Sequence, residues 1–134
     1  MEGPSELVKQ ITKICESVPS LIDTSLCYSE YCYQQLIRQL LTRAGLNCET
    51  EAPIYFKTKG PNPINFGWGK IDVLVRGEKE VVIIELKANV KYSLKAEKQL
   101  QRYLVHFPTT LKKVGLLFLY NSVERYPCIS RVFK

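Results

Sequence analysis

Two runs of branched aliphatic residues, joined by a short polar turn, constrain the fold of this chain more than any other feature. They are residues 69–76 (GKIDVLVR) and residues 81–87 (VVIIELK). Such runs, bounded by glycine and charged residues, are typical of strands. The four residues between them are few enough for a hairpin. The second run is apolar on both faces until its end, which is typical of a central strand that is covered on both sides.

Charged side chains interrupt one face of this hairpin. If Arg76 pairs with Val81 across the turn, Asp72 lies opposite Glu85, and opposed residues project to the same face with Cβ atoms about 4.5–5.5 Å apart. Lys87 is two residues beyond Glu85 and shares that face. Two converging carboxylates suit Mg²⁺, which needs few protein oxygens, and a nearby ammonium could orient a water or neutralise charge on a phosphate. The alternative is a structural Glu–Lys ion pair at the strand end.

These three residues resemble the catalytic core of the PD-(D/E)XK nuclease superfamily. Two further motifs strengthen the resemblance, which covers about residues 20–120. Glu30 and Tyr33 resemble the E-x-x-Y of the small GxxExxY proteins of that superfamily. Gln99 and Tyr103 resemble the Q-x-x-x-Y of its recombination-repair exonuclease branch. Two departures are visible: a cysteine stands where the GxxExxY pattern has glycine, and no proline precedes the hairpin aspartate.

The resemblance implies a restriction-endonuclease-like core and metal-dependent hydrolysis of phosphodiester bonds, with DNA favoured over RNA and with Mg²⁺ or Mn²⁺ as cofactor. The implied metal ligands are Asp72, Glu85, the Leu86 carbonyl and Glu30. The implied catalytic residues are Asp72, Glu85, Lys87, Glu30, Gln99 and Tyr103, with Gln99 steadying the site or the scissile nucleotide and Tyr103 supporting its helix. The alternative is an inactive domain of the same fold that binds nucleic acid or a protein partner.

Helical periodicity is found on both sides of the hairpin. Ser5 can cap a helix over about residues 6–17, and Ser93 can cap one that runs to about residue 107. Asp23 or Thr24 can cap a longer helix to about residue 44, with Glu30 on its buried stripe. A carboxylate on an apolar face needs a partner. That partner could be a metal ion at the hairpin carboxylates or a neighbouring hydroxyl on the same helix.

The remaining strand patterns complete a mixed sheet. Residues 47–56 alternate and contain Pro53, which indicates an edge strand or a bulge. Residues 114–120 are apolar on both faces and follow a helix, so we expect a central strand parallel to residues 81–87. Residues 128–133 could add an edge strand. The predicted fold is therefore α/β in one domain over residues 1–134. Its mixed central sheet combines an antiparallel hairpin, an edge strand and a parallel strand after a helical crossover, all flanked by helices.

The net charge of +6 favours a polyanion such as nucleic acid, most simply DNA. Basic and aromatic residues flank the predicted site in the loop before the hairpin and along the third helix. The candidate nucleic-acid contacts are Lys57, Lys59, Trp68, Lys70, Lys91, Lys95, Lys98 and Arg102. Trp68 could stack on an unpaired base or simply pack against the sheet, and the basic stripe on the helix could be a solvated face.

Other features bound the setting of the protein. No apolar run reaches the roughly 18–20 residues of a membrane span, and the first residues are acidic and polar, unlike a secretory signal. The five cysteines include no C-x-x-C pair, so we expect an intracellular, reducing setting in cytoplasm or nucleus and no zinc site. A homodimer or larger homo-oligomer could supply substrate-binding surface that a chain this small lacks.

Overall fold

The computed structural model describes residues 3–89, 93–121 and 128–134. Its elements, in chain order, are α1 (Glu6–Ser17), a 3₁₀ turn (Val18–Leu21), α2 (Glu30–Arg43), β1 (Asn47–Lys57), β2 (Asn65–Arg76), β3 (Glu80–Ala88), α3 (Leu94–His106), β4 (Lys112–Tyr120) and β5 (Cys128–Phe133). The strands form one sheet in the order β1-β2-β3-β4-β5. β3 and β4 pair in parallel, and the other neighbours in this order are antiparallel. The mixed α/β sheet predicted from the sequence is confirmed.

Helices cover both faces of the sheet. On one face, α1 and α2 contribute Ile11 and Ile37 to the core, and on the other face α3 contributes Leu100. Neighbouring residues of β3 alternate between these two layers, so Ile83 lies on the α3 side and Ile84 on the α2 side. This double cover explains why β3 is buried along nearly its whole length.

The hairpin register is the one that the sequence predicted. Arg76 pairs with Val81, and the β2–β3 ladder extends to Val73 and Ile84. Beyond that pair β2 continues beside β1 alone. Asp72 therefore lies at the point where the two hairpin strands separate. Backbone N–H and C=O groups that have no partner strand there need hydrogen bonds from other groups nearby.

The start of α2 differs from the prediction. The helix begins at Glu30, where the hydroxyl of Ser29 accepts a hydrogen bond of 3.3 Å from a backbone N–H of the first turn. It does not begin at Asp23 or Thr24, because the Asp23 carboxylate instead accepts hydrogen bonds from the backbone and hydroxyl of Ser25. A local turn thus uses the side chain that the sequence offered as a helix cap.

This shift changes the surroundings of Glu30. Leu26, which the longer helix would have buried, is 53% exposed. Glu30 occupies the first turn of α2 and its side chain is 48% exposed. A carboxylate is favourable there because of the positive end of the helix dipole, so burial on an apolar stripe was the wrong expectation for this residue.

The other predicted elements are confirmed. α1 has the predicted bounds, and Ser93 caps α3, which ends just before Phe107. β1 is an edge strand whose register shifts just after Pro53, between Ile54 and Tyr55. β5 forms the opposite edge. Among the described residues, no helix has the length and apolar character needed to cross a bilayer.

Candidate active site

The structure brings the two hairpin carboxyl groups together. Glu85 alternates with Ile83 along β3, which directs it to the α3 side, and only 3% of it is exposed. Asp72 is half-buried at the end of the β2–β3 ladder, and its Oδ2 accepts a hydrogen bond of 2.8 Å from the Leu86 N–H. That bond ties the Asp72 side chain to β3 where backbone pairing has stopped. Because Leu86 directly follows Glu85 in β3, the same bond places the Asp72 carboxylate next to Glu85.

Glu85 is held in an environment that disfavours its charge. Burial is the largest cause that raises its pKa, followed by repulsion from Asp72 and a hydrogen bond between the two carboxyl groups. Lys87 opposes the effect and Glu30 adds to it, and the resulting pKa is about 10. The Oε2 atom of Glu85 is buried and has no hydrogen-bond partner among the described residues. A buried polar atom without a partner is rare in folded proteins and calls for a missing ligand.

Lys87 and Glu30 form the solvent side of the site. The Lys87 Nζ lies 3.8 Å from Glu30 Oε1, and both side chains are partly exposed. The helices that carry Glu30 and Gln99, α2 and α3, cover opposite faces of the sheet. Glu30 meets the site through Lys87, from the N-terminal end of α2. Within residues 3–89, 93–121 and 128–134, no three His, Cys, Asp or Glu side chains gather as a metal-binding group.

Gln99 and Tyr103 form a brace on the α3 side. The Gln99 amide donates a hydrogen bond to the Tyr103 hydroxyl, which in turn donates one of 3.0 Å to the Lys70 carbonyl of β2. Burial raises the pKa of Tyr103, and the charges of Glu85 and Asp72 contribute to the shift. The brace therefore lies beside the carboxyl pair and fixes β2 two residues before Asp72.

Glycine in β2 makes this brace possible. A Cβ atom at Gly69 would lie 2.7 Å from the Tyr103 hydroxyl oxygen, closer than real Cβ contacts allow. At Gly67, two residues earlier, the nearest atom to such a Cβ is a Tyr55 ring carbon at 3.9 Å, which is an ordinary contact. The close approach of Tyr103 to β2 thus depends on one particular glycine.

Gln34 is a supporting residue that the sequence interpretation missed. It is 5% exposed, and its amide donates a hydrogen bond of 2.9 Å from α2 to the backbone carbonyl of Asp72. Its spacing from Ile37 and Leu41, three and seven residues, puts it on the buried face of the helix. A polar residue at that spacing was a usable signal, although its partner could be found only in three dimensions.

The basic residues predicted to contact nucleic acid lie on α3, on β2 and along the β1–β2 connection. Those that are exposed are Lys57, Lys59, Lys70, Lys95, Lys98 and Arg102. Lys91 lies outside the described residues. Trp68 is half-buried against the α3-side core, with its ring 4.6 Å from Phe56, 5.3 Å from Tyr103 and 5.6 Å from His106 between centroids.

Comparison with known proteins identifies the class. The sequence model of the PD-(D/E)XK nuclease superfamily matches residues 5–132, nearly the whole chain, so this protein belongs to that superfamily. Nucleases of this superfamily generally use divalent metal ions. No curated protein matches the chain significantly.

One solved structure shows the same fold. The crystal structure of SSO0001 superposes with a TM-score of 0.52 at 20% sequence identity, over 74% of this chain and 46% of that one. The chain thus spans less than half the length of that protein. At this identity the likeness concerns the fold alone.

Proposed function

We propose that this protein is a nuclease that hydrolyses phosphodiester bonds of nucleic acid, DNA rather than RNA, with the help of Mg²⁺ or Mn²⁺. The observation that carries the proposal is the buried Oε2 atom of Glu85, which lies beside the Asp72 carboxyl group and has no hydrogen-bond partner in the part of the chain that the structure describes. Superfamily membership supports the same activity. A divalent cation would remove the repulsion between the two groups and supply the partner that the oxygen lacks.

Three groups are suited to hold the cation: the carboxylates of Asp72 and Glu85 and the carbonyl of Leu86. A small number of protein oxygens fits Mg²⁺, which keeps several of its waters. Glu30, a fourth ligand in the sequence prediction, is ion-paired with Lys87 and is better suited to orient that ammonium. The Leu86 N–H donates a hydrogen bond to Asp72 Oδ2, which orients the Asp72 carboxylate for a cation.

The cation, when bound, lowers the pKa of the attacking water and neutralises charge on the scissile phosphate. Lys87 presents an ammonium beside the carboxyl pair, where it can orient that water or stabilise negative charge on the phosphate. Gln99 and Tyr103 hold β2 in place through the Lys70 carbonyl, which keeps Asp72 in register with Glu85. The exposed lysines of the β1–β2 connection and of α3 would bind phosphate groups of the nucleic acid on either side of the site.

The proposal is tested by Mn²⁺ binding and by cleavage of supercoiled, linear and single-stranded substrates. We expect the wild type to bind Mn²⁺ and to cleave, and Asp72→Asn to lose both. Asp23→Asn is the matched control, because Asp23 is an exposed turn residue whose carboxylate accepts hydrogen bonds from Ser25. Nucleic-acid binding without cleavage across metals and substrates would instead indicate an inactive domain of the same fold.

A further inference from the structure

A pocket of about 200 Å³ opens beside the brace that Gln99 and Tyr103 form on the α3 side. It is lined by Trp68, Gln99, Arg102 and Tyr103. Tyr103 places it, since the hydroxyl of this residue donates a hydrogen bond of 3.0 Å to the carbonyl of Lys70, two residues before Asp72 in β2. The pocket therefore opens beside the reacting centre, on the α3 side of the sheet.

A second pocket, of about 240 Å³, continues along α3. It is lined by Lys98, Gln101, Arg102, Val105 and His106. Arg102 lines both pockets, so the two adjoin along one face of the helix. From Gln99 to His106 the helix rises by about 10 Å, so the two pockets together form a track that leads away from the carboxyl pair.

The lining of this track combines aromatic rings, amides and cations. Of the described residues that line it, none is acidic. Such a surface favours a ligand with flat rings, hydrogen-bonding edges and negative charge, which are the parts of a nucleotide. The Trp68 ring is fixed by contacts with Phe56, Tyr103 and His106. A ring that is already held loses little conformational freedom when a base stacks on it.

On the basis of the proposed nuclease function, we infer that this track binds unpaired nucleotides next to the scissile phosphate. The bases of an intact duplex are stacked and paired and cannot enter a side pocket without being unstacked, which costs a few kcal/mol. The protein should therefore prefer single-stranded or frayed nucleic acid to a closed duplex. Arg102, between the two pockets, is suited to the phosphate that joins two successive nucleotides.

The sequence provides its own reporter for this inference, because Trp68 is the only tryptophan. Binding is measured in Ca²⁺ from the quenching of tryptophan fluorescence, with short oligothymidylate, short oligouridylate and a closed hairpin duplex as probes. We expect either single strand to quench the emission and to bind roughly tenfold or more tightly than the duplex. Equal affinity for single strand and duplex, with unchanged emission, would overturn the inference.

Two variants test the pocket itself. Arg102→Gln should weaken single-strand binding roughly tenfold, whereas Arg43→Gln, the same charge change on the exposed end of α2, should not. Trp68→Leu, followed by anisotropy of a labelled strand, should lose a similar amount of affinity. Equal losses in the two arginine variants would contradict a site at Arg102.

A cleavage assay in Mn²⁺ on the same oligonucleotides separates this inference from the proposed function. Quenching by single strands without any cleavage would remove the nuclease proposal and retain the pocket. Cleavage of single strand and duplex alike, without quenching, would remove the pocket and retain the nuclease. Selective quenching and selective cleavage of single strands would support both.

Discussion

Glu85 combines burial, a carboxyl neighbour and an unpartnered oxygen in one side chain. The raised pKa means that the folded protein without metal holds a proton there that the unfolded chain releases. Since the unfolded chain binds fewer protons above its ordinary pKa of 4.5, stability falls as the pH rises from that value through about 10. The metal-free protein is thus more stable when Glu85 is protonated than when Glu85 is charged.

This leads to a prediction on stability. In EDTA at about pH 6, Glu85→Gln should be more stable than the wild type by roughly 1–3 kcal/mol, the cost of a buried unpaired group. The difference should grow with pH, with a limiting slope of about 1.4 kcal/mol per pH unit. Urea unfolding at a series of pH values measures it. Mn²⁺ should reverse the order, because only the wild type can offer the charged ligand.

Glu78→Gln serves as the control for this series, since Glu78 is an exposed residue of the hairpin turn. It should follow the wild type at every pH. A Glu85→Gln curve parallel to that of the wild type would show that Glu85 is ionised in the metal-free protein.

Gln34 provides a second prediction at this scale. Gln34→Leu replaces the amide by an apolar side chain of similar size and leaves the Asp72 carbonyl without its hydrogen-bond donor. We expect a loss of about 1–2 kcal/mol in unfolding free energy and a several-fold weaker Mn²⁺ affinity by calorimetry, because Asp72 is no longer held from α2. The reference is Ile37→Val, a buried change on the same helix that costs about 0.5–1.5 kcal/mol. If both variants bind Mn²⁺ equally, Gln34 is only a core residue.

At the scale of elements, the brace between α3 and β2 can be tested with two glycines of one strand. Gly69→Ala should push Tyr103 away from the Lys70 carbonyl and cost about 1–3 kcal/mol, as overpacking does. Gly67→Ala should have little effect on stability. Adding Tyr103→Phe to Gly69→Ala removes the hydroxyl that clashes and should recover part of the loss. Thermal unfolding of the wild type, the two alanine variants and the double variant measures these effects. Equal melting temperatures for the two alanine variants would contradict the brace.

The elements show what a single sequence can predict. The hairpin register could be predicted from the turn length and the apolar runs, and this register places Asp72 next to Glu85. The start of α2 did not follow, because Asp23 and Ser29 are both good caps and only the tertiary packing selects between them. The hydrogen bond from Gln34 to Asp72 joins residues 38 apart, and no local pattern encodes such a pairing.

For the whole molecule, the net charge of +6 and the exposed lysines predict salt-dependent binding of nucleic acid. If about four cations contact a single strand, the logarithm of the affinity should fall with the logarithm of salt concentration with a slope of about −3. Titrations between about 50 and 200 mM salt measure this slope. Lys98→Gln should reduce it by about 0.7, whereas Lys13→Gln on α1, across the sheet from α3, should leave it unchanged.

The alternation of β3 between its two layers has a consequence for how this protein tolerates change. Leu86 belongs to the α2-side core and Glu85 to the α3 side, so a slip of one residue in the strand would exchange them. Glu85 would then enter the apolar α2-side core, and Leu86 would take its place on the α3 side. The apolar packing of this strand therefore also sets the position of Glu85, and a repacked core should change Mn²⁺ affinity as well as the melting temperature.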